Sequence, residues 1–115
     1  MDLTGKHTFV CKTKYGEYPD CYFKAGHYDN GNIAILIESG EEEEPIMIAS
    51  VNPWHDVEDD CVAIKNYSEN EGIEAVLKEH GIITGEPQYS IQSGFVSIPV
   101  YKLADGWKEK IAIFI

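Results

Sequence analysis

The chain has 115 residues, 43 % hydrophobic and 25 % charged, with a formal net charge of −11 at pH 7. That length supports one ordinary domain with a real core, and that balance is the composition of a folded protein rather than a disordered one. The acidity argues against a basic nucleic-acid surface, the more so because the chain has nine lysines but no arginine, and so lacks the fork that grips phosphate.

We read a single domain over residues 1–115. No apolar run approaches the ~20 residues that cross a bilayer, and the first residues carry no apolar signal region, so the expected location is cytoplasmic, without a membrane. Three cysteines, Cys11, Cys21 and Cys61, are odd in number and widely spaced, which reads as buried free thiols rather than a disulfide framework. The charge is unevenly spread: nine carboxylates and no lysine lie between Glu38 and Asp60.

In chain order, His7 to Lys14 alternates as a first strand, and Tyr15 to Asp20 reads as a loop. Asp20 to Glu38 reads as a β-hairpin. Asn30-Gly31 is the favoured pair for a two-residue type I′ turn, which sets Tyr28 opposite Ile33, Gly26 opposite Ile35 and Lys24 opposite Ile37. Glu38 to Pro45 is too charged for a core and reads as a solvated connection. Ile46 to Val51 is apolar on both faces and predicts a central strand.

Asn52 to Asp60 is an irregular acidic loop, and Cys61 to Lys65 a further strand. Ser68 and Glu71 have the spacing of a capping box, followed by Ile73, Val76, Leu77 and His80 on one face, so a helix is predicted over Glu69 to His80, stopped by Gly81. Gln88 to Gln92 and Phe95 to Leu103 form a second hairpin through Ser93-Gly94, with Pro99 expected at an edge or bulge. Ala104 to Gly106 is a turn. The apolar end of Trp107 to Ile115 pairs as a last strand or meets another molecule. The fold expected is α+β: an antiparallel sheet of six or seven strands, meander and hairpins, with one helix, about 69–80, packed on one face.

Three groups of residues invite a functional reading. Trp54-His55-Asp56 with Glu58, Asp59, Asp60 and Cys61 supplies metal-ligand types, but at no specific metal spacing; a solvated loop is the favoured reading, and no metal or cofactor is expected. The cysteines with His7, His27, His55 or His80 offer thiol and imidazole without a nucleophile motif, so no catalytic residue is assigned and the chain is read as a non-enzyme. The acidic residues Glu41, Glu42, Glu43 and Glu44, with Asp56, Glu58, Asp59 and Asp60, flank one predicted strand and form two negative poles about 20 Å apart at about 3.3 Å per residue. Such spacing imitates duplex phosphates before a basic groove; the plain alternative is that the acids only keep the chain soluble. Ile111, Ile113, Phe114 and Ile115 are a candidate interface for assembly through a sheet edge, which leaves monomer and homodimer both open.

Tyr28-Asp29-Asn30-Gly31, Val51-Asn52-Pro53, the helix ending at Gly81, and Gln92-Ser93-Gly94-Phe95 leading to Pro99-Val100-Tyr101-Lys102-Leu103 together resemble a family of small proteins of unknown function carried on conjugative and other mobile elements of gut bacteria. The resemblance covers about Tyr22 to Leu103 and rests on turn glycines, a strand proline and aromatics, so it carries over no catalytic residue. Glu41 to Glu44 and Ala104 to Ile115 lie outside it. What it implies is context: small acidic accessory proteins of such elements include inhibitors of host defence, of anti-restriction or anti-CRISPR type. The expected function is a non-enzymatic inhibitor whose partner is a basic nucleic-acid-binding protein. The alternatives are an assembly module joined through the C-terminal strand and a domain that binds a metal or small ligand through His55 and its acidic neighbours.

Overall fold

A computed structural model describes residues 8–13, 16–39, 45–53 and 56–114. Eight strands, β1 (Phe9–Thr13), β2 (Gly16–His27), β3 (Ile33–Ser39), β4 (Pro45–Ile48), β5 (Cys61–Ala63), β6 (Ile83–Ser93), β7 (Val96–Leu103) and β8 (Ile111–Phe114), accompany one α-helix, α1 (Ile73–Glu79). The class is α+β, as expected. Among the described residues the strands number eight, against the six or seven expected, and divide into two sheets rather than one, the first ordered β1-β2-β3-β4 with β8 also on β2, the other β5-β7-β6. Between them the chain crosses over at Ala49 to Val51: Ala49 N–H donates to the Ile35 carbonyl, and Val51 N–H donates to Ala63. The stretch read as a central strand is therefore an edge strand followed by a bridge between sheets.

The β2–β3 hairpin forms, but one residue out of the expected register. His27 faces Ile33, Ala25 faces Ile35 and Phe23 faces Ile37. Tyr28 N–H donates to the Asn32 carbonyl at 2.8 Å and Gly31 N–H to the Tyr28 carbonyl at 2.8 Å, closing a three-residue loop in which Gly31 alone takes positive φ, +90°. This is the β-turn followed by a left-handed residue that three-residue hairpin loops favour. Asn30 keeps an ordinary φ, and its Oδ1 accepts from Asn32 N–H at 3.2 Å, a local bond that asparagine makes readily in turns. Burial decides between the registers. The type I′ register sets Lys24 beside the isoleucines; the observed one joins Cys21, Phe23 and Ala25 to Ile33, Ile35 and Ile37 in a single apolar face.

That face meets Met47, Val62, Ile64, Tyr101, Leu103, Ile111 and the helix residues Ile73 and Leu77 in the main core. Burying a side chain such as Phe23 or Leu77 contributes about 1.5–3 kcal/mol each. A smaller core of Val57, Cys61, Ala63, Ile98 and Val100 lies on the second face of β5 and β7, which is why the short β5 is apolar at every position. On the far face of the hairpin, Tyr22 opposes Glu38. Glu38 belongs to β3 and is only 2 % exposed, not part of a solvated connection. Its carboxylate accepts from the Tyr22 hydroxyl at 2.9 Å and lies 3.5 Å from Lys24 Nζ, partners that a buried charge requires.

Three further expectations are corrected. Gly16 to Asp20, read as part of a loop, belongs to β2: the register shifts opposite Phe9 to Cys11, with Asp20 at φ +54°, so Pro19 sits at a bulge where no ladder hydrogen is needed. The capping box does not form. Ser68–Asn70 is a separate 3-10 turn without a side-chain cap, and α1 begins after Gly72 at φ +90°. Buried Asn70 donates from Nδ2 to the Ile48 carbonyl at 2.6 Å, so a tertiary bond holds this turn in place of the local cap. Pro99 lies in β7, the middle strand of its sheet, opposite Ser90. It is tolerated because β5 ends beside it: the last β5 pair is Ala63 with Val100.

The helix stop is as expected. Gly81 has φ +74°, Ile82 N–H donates to Leu77 O and Gly81 N–H to Lys78 O, the two bonds of a Schellman ending, and buried Leu77 and Ile82 supply its apolar contact. The second hairpin closes at Gly94-Phe95 rather than at the expected Ser93-Gly94, with Ser93 facing Val96 and Gly94 at φ +59°; glycine as the first central residue is the form of two-residue turn that needs positive φ there. After a 3-10 turn at Trp107–Lys110, the apolar end pairs within the chain: β8 lies parallel to β2, with Ile111 opposite Phe23 and Ile113 opposite Lys24.

Candidate functional site

The acidic loop before β5 is held from several sides. Val57 is buried in the small core, and its N–H donates to Asn32 Oδ1 at 2.9 Å. Asn32 is itself 5 % exposed and donates from Nδ2 to Asn52 Oδ1 at 3.1 Å. The loop's end is tied by Cys61 N–H to the Glu58 carbonyl and by Leu103 N–H to the Asp60 carbonyl, at 2.9 and 2.8 Å. Among the described residues of the loop, Pro53 and Val57 are buried. Asp56, Glu58, Asp59 and Asp60 are all exposed, and among the described residues none of the four is in an ion pair. Fixed carboxylates of one sign on a pinned backbone make a field that is present before any partner arrives.

Two neutral donors touch this loop. The Tyr89 hydroxyl donates to Glu58 Oε2 at 2.7 Å; burial, then that bond and the carboxylate's charge, push the phenol up to about 12. The Cys61 thiol lies 3.5 Å from Asp60 Oδ1; burial first, then Asp60, push it up to about 11. Burial likewise raises Cys11 to about 11, with Cys21 beside it adding to the effect, and raises Cys21. All three cysteines are free and buried, the state read from the sequence. His80 packs on Phe9 with ring centroids 4.2 Å apart, and His27 on Phe114 at 5.9 Å.

Beside the loop opens a cleft of about 750 Å³, where the end of the β2–β3 hairpin, the acidic loop and the C-terminal segment meet. Asp59 and Asp60 line it together with Asp105 and Glu109, and so do Lys102 and Lys108. Its aromatic wall is His27, Trp107 and Phe114, with Phe114 centred 6.0 Å from Trp107. The 3-10 turn that carries Trp107 is fixed by Trp107 N–H to Ala104 O and Glu109 N–H to Gly106 O.

Two groups expected to be separate thus share one concavity: Asp59 and Asp60 from the acidic loop and Phe114 from the apolar end. Asp56 and Glu58 belong to the same loop but do not line the cleft. Ile111 is in the core and Ile113 is half-buried. Glu41, Glu42, Glu43, Glu44, Trp54, His55, His7 and Ile115 lie outside the described residues, so the two-pole arrangement and the His55 ligand group are described only in part. Among the described residues, no three His, Cys, Asp or Glu side chains gather as a metal-binding group, and no helix is long and apolar enough to cross a membrane. Sequence reasoning did not bring in Trp107, Asp105, Glu109 and Lys102. Asp105-Gly106 read as a turn, and nothing in its spacing says which distant loop it will face.

Comparison with protein-family models, with curated proteins and with solved structures returns no match.

Proposed function

We propose that this chain is a non-catalytic interaction protein that presents a preorganised acidic surface to a basic, nucleic-acid-handling protein and inhibits it by occupying the groove meant for phosphates. The observation that carries the reading is the acidic loop itself: four exposed carboxylates, Asp56, Glu58, Asp59 and Asp60, on a backbone pinned by buried Asn32 and Val57. Charges kept only for solubility need no such anchoring, since surface charge serves that purpose on any loop. Glu41 to Glu44 join this reading by their charge alone. The resemblance to small proteins of mobile elements supplies the context, an inhibitor of host defence. The reading as an assembly module has less support, because Ile111 and Ile113, two of its contact residues, already pair with β2.

The test is retention of a partner from host lysate by the native chain and by a chain with all eight carboxylates amidated through Glu→Gln and Asp→Asn changes, eluted with rising salt. A basic nucleic-acid enzyme held only by the native chain, and released by salt, is the expected result. Equal retention by both chains, or binding indifferent to salt, overturns it.

A further inference from the structure

The cleft beside the acidic loop combines two features that recognise the same chemistry. Four carboxylates, Asp59, Asp60, Asp105 and Glu109, line it against two ammonium groups, Lys102 and Lys108, so its balance is negative. Its other wall is aromatic. Phe114 packs against both His27 and Trp107, with centroids at 5.9 and 6.0 Å, and the residue remains 46 % exposed. That ring already carries a cation: Lys108 Nζ lies over it, 5.9 Å from the centroid. An aromatic face beside carboxylates attracts a cation twice, through the ring quadrupole and through charge.

We propose that the cleft seats a lysine or arginine side chain of the basic partner, which takes the place of Lys108 on the Phe114 face with its charge toward Asp59, Asp60, Asp105 and Glu109. The inference rests on the acidic-surface reading above and adds to it a specific anchor. A cleft of about 750 Å³ is within the range that holds a drug-sized ligand, so it accommodates one long side chain with its flanking backbone. Interfaces concentrate their binding energy in such buried anchors, and arginine and aromatics dominate them. Lys108 keeps the face covered while no partner is bound, and the partner competes with it.

The test uses the full chain with Trp54→Phe, which leaves Trp107 as the sole indole, titrated with a hexa-arginine peptide and followed by Trp107 emission and by calorimetry. Saturable binding with a change in emission is expected. Phe114→Ala should weaken it about 2- to 30-fold, the span of one cation–π contact. Because Phe114 is half exposed at the end of a strand, that variant retains the core. Lys108→Ala should tighten binding, and by more than Lys110→Ala, which removes the same charge from the same turn but from a residue that does not line the cleft. Three outcomes overturn the proposal. If Lys108→Ala and Lys110→Ala act alike, or Phe114→Ala changes nothing while Asp59→Asn with Asp60→Asn weakens binding, the anchor is wrong and the acidic-surface reading stands. If the native chain does not bind the peptide at all, both fail together.

Discussion

Asn32 is the side chain that ties the acidic loop to the end of the hairpin, and Asn32→Ala tests that directly. The substitution leaves the buried Val57 N–H without its acceptor, 2.9 Å away in the native chain, and removes the bond to Asn52. A buried donor left unpaired costs about 1–3 kcal/mol. Unfolding entropy of about 2.1 cal/mol/K per residue over 115 residues is roughly 240 cal/mol/K, so each 1 kcal/mol moves the midpoint by about 4 °C and the expected fall in Tm is about 4–12 °C. Asn52→Ala is the comparison, since Asn52 is exposed and its loss leaves the Val57 bond intact; its effect should be smaller. Thermal denaturation followed by circular dichroism gives the first number, and amide exchange at Val57 gives the second, which should lose protection in Asn32→Ala only. The same variant should bind a basic partner more weakly, because its carboxylates are no longer held in one arrangement. Unchanged Tm with unchanged protection at Val57 would refute the claim that Asn32 organises the loop.

Three further outcomes follow from the geometry. Gly31→Ala meets no atom within 4 Å of its new methyl yet has to hold φ +90°, so its loss of about 1–2 kcal/mol in urea denaturation is backbone strain alone; Asn30→Gly should also destabilise, by removing an acceptor, whereas a type I′ turn would accept it. Leu77→Ala, at a fully buried position under the helix stop, should cost about 2–5 kcal/mol by the same measurement, and a smaller loss would mean that the helix is not seated on the core. The thiols Cys11 and Cys61 are raised to about 11 in the folded chain from an ordinary 9.0. The unfolded chain therefore releases these protons first, so the stability they contribute is intact below about pH 9 and is lost as pH rises through about 11. Cys11→Ala and Cys61→Ala should each flatten that alkaline fall, and a fall as steep as that of the native chain in both variants would contradict the shifts.

The sequence by itself determined what local chemistry decides. Gly81 after an apolar 3.6-residue pattern can only be a left-handed stop, and Gly94 between two alternating runs has to sit in a hairpin turn, because glycine takes positive φ there without strain; which pair forms the turn, Ser93-Gly94 as read or Gly94-Phe95 as found, was not decided locally. The buried state of the cysteines and the exposure of Asp56, Glu58, Asp59 and Asp60 follow from the same kind of reading. Tertiary structure decided the rest. Two turns were open to Asp29-Asn30-Gly31, a residue apart in register, and only the joint burial of Phe23 and Ala25 with the isoleucines chooses between them. Ser68 and Glu71 had the spacing of a cap, but Asn70 gains more by donating to Ile48 from a buried site. Pro99 is admitted to a middle strand only because β5 stops beside it. The cleft is the clearest case: Asp59, Asp105, Trp107, Phe114 and His27 come from four separate parts of the chain, and no pattern along a sequence records which loops meet once two sheets have packed on one core.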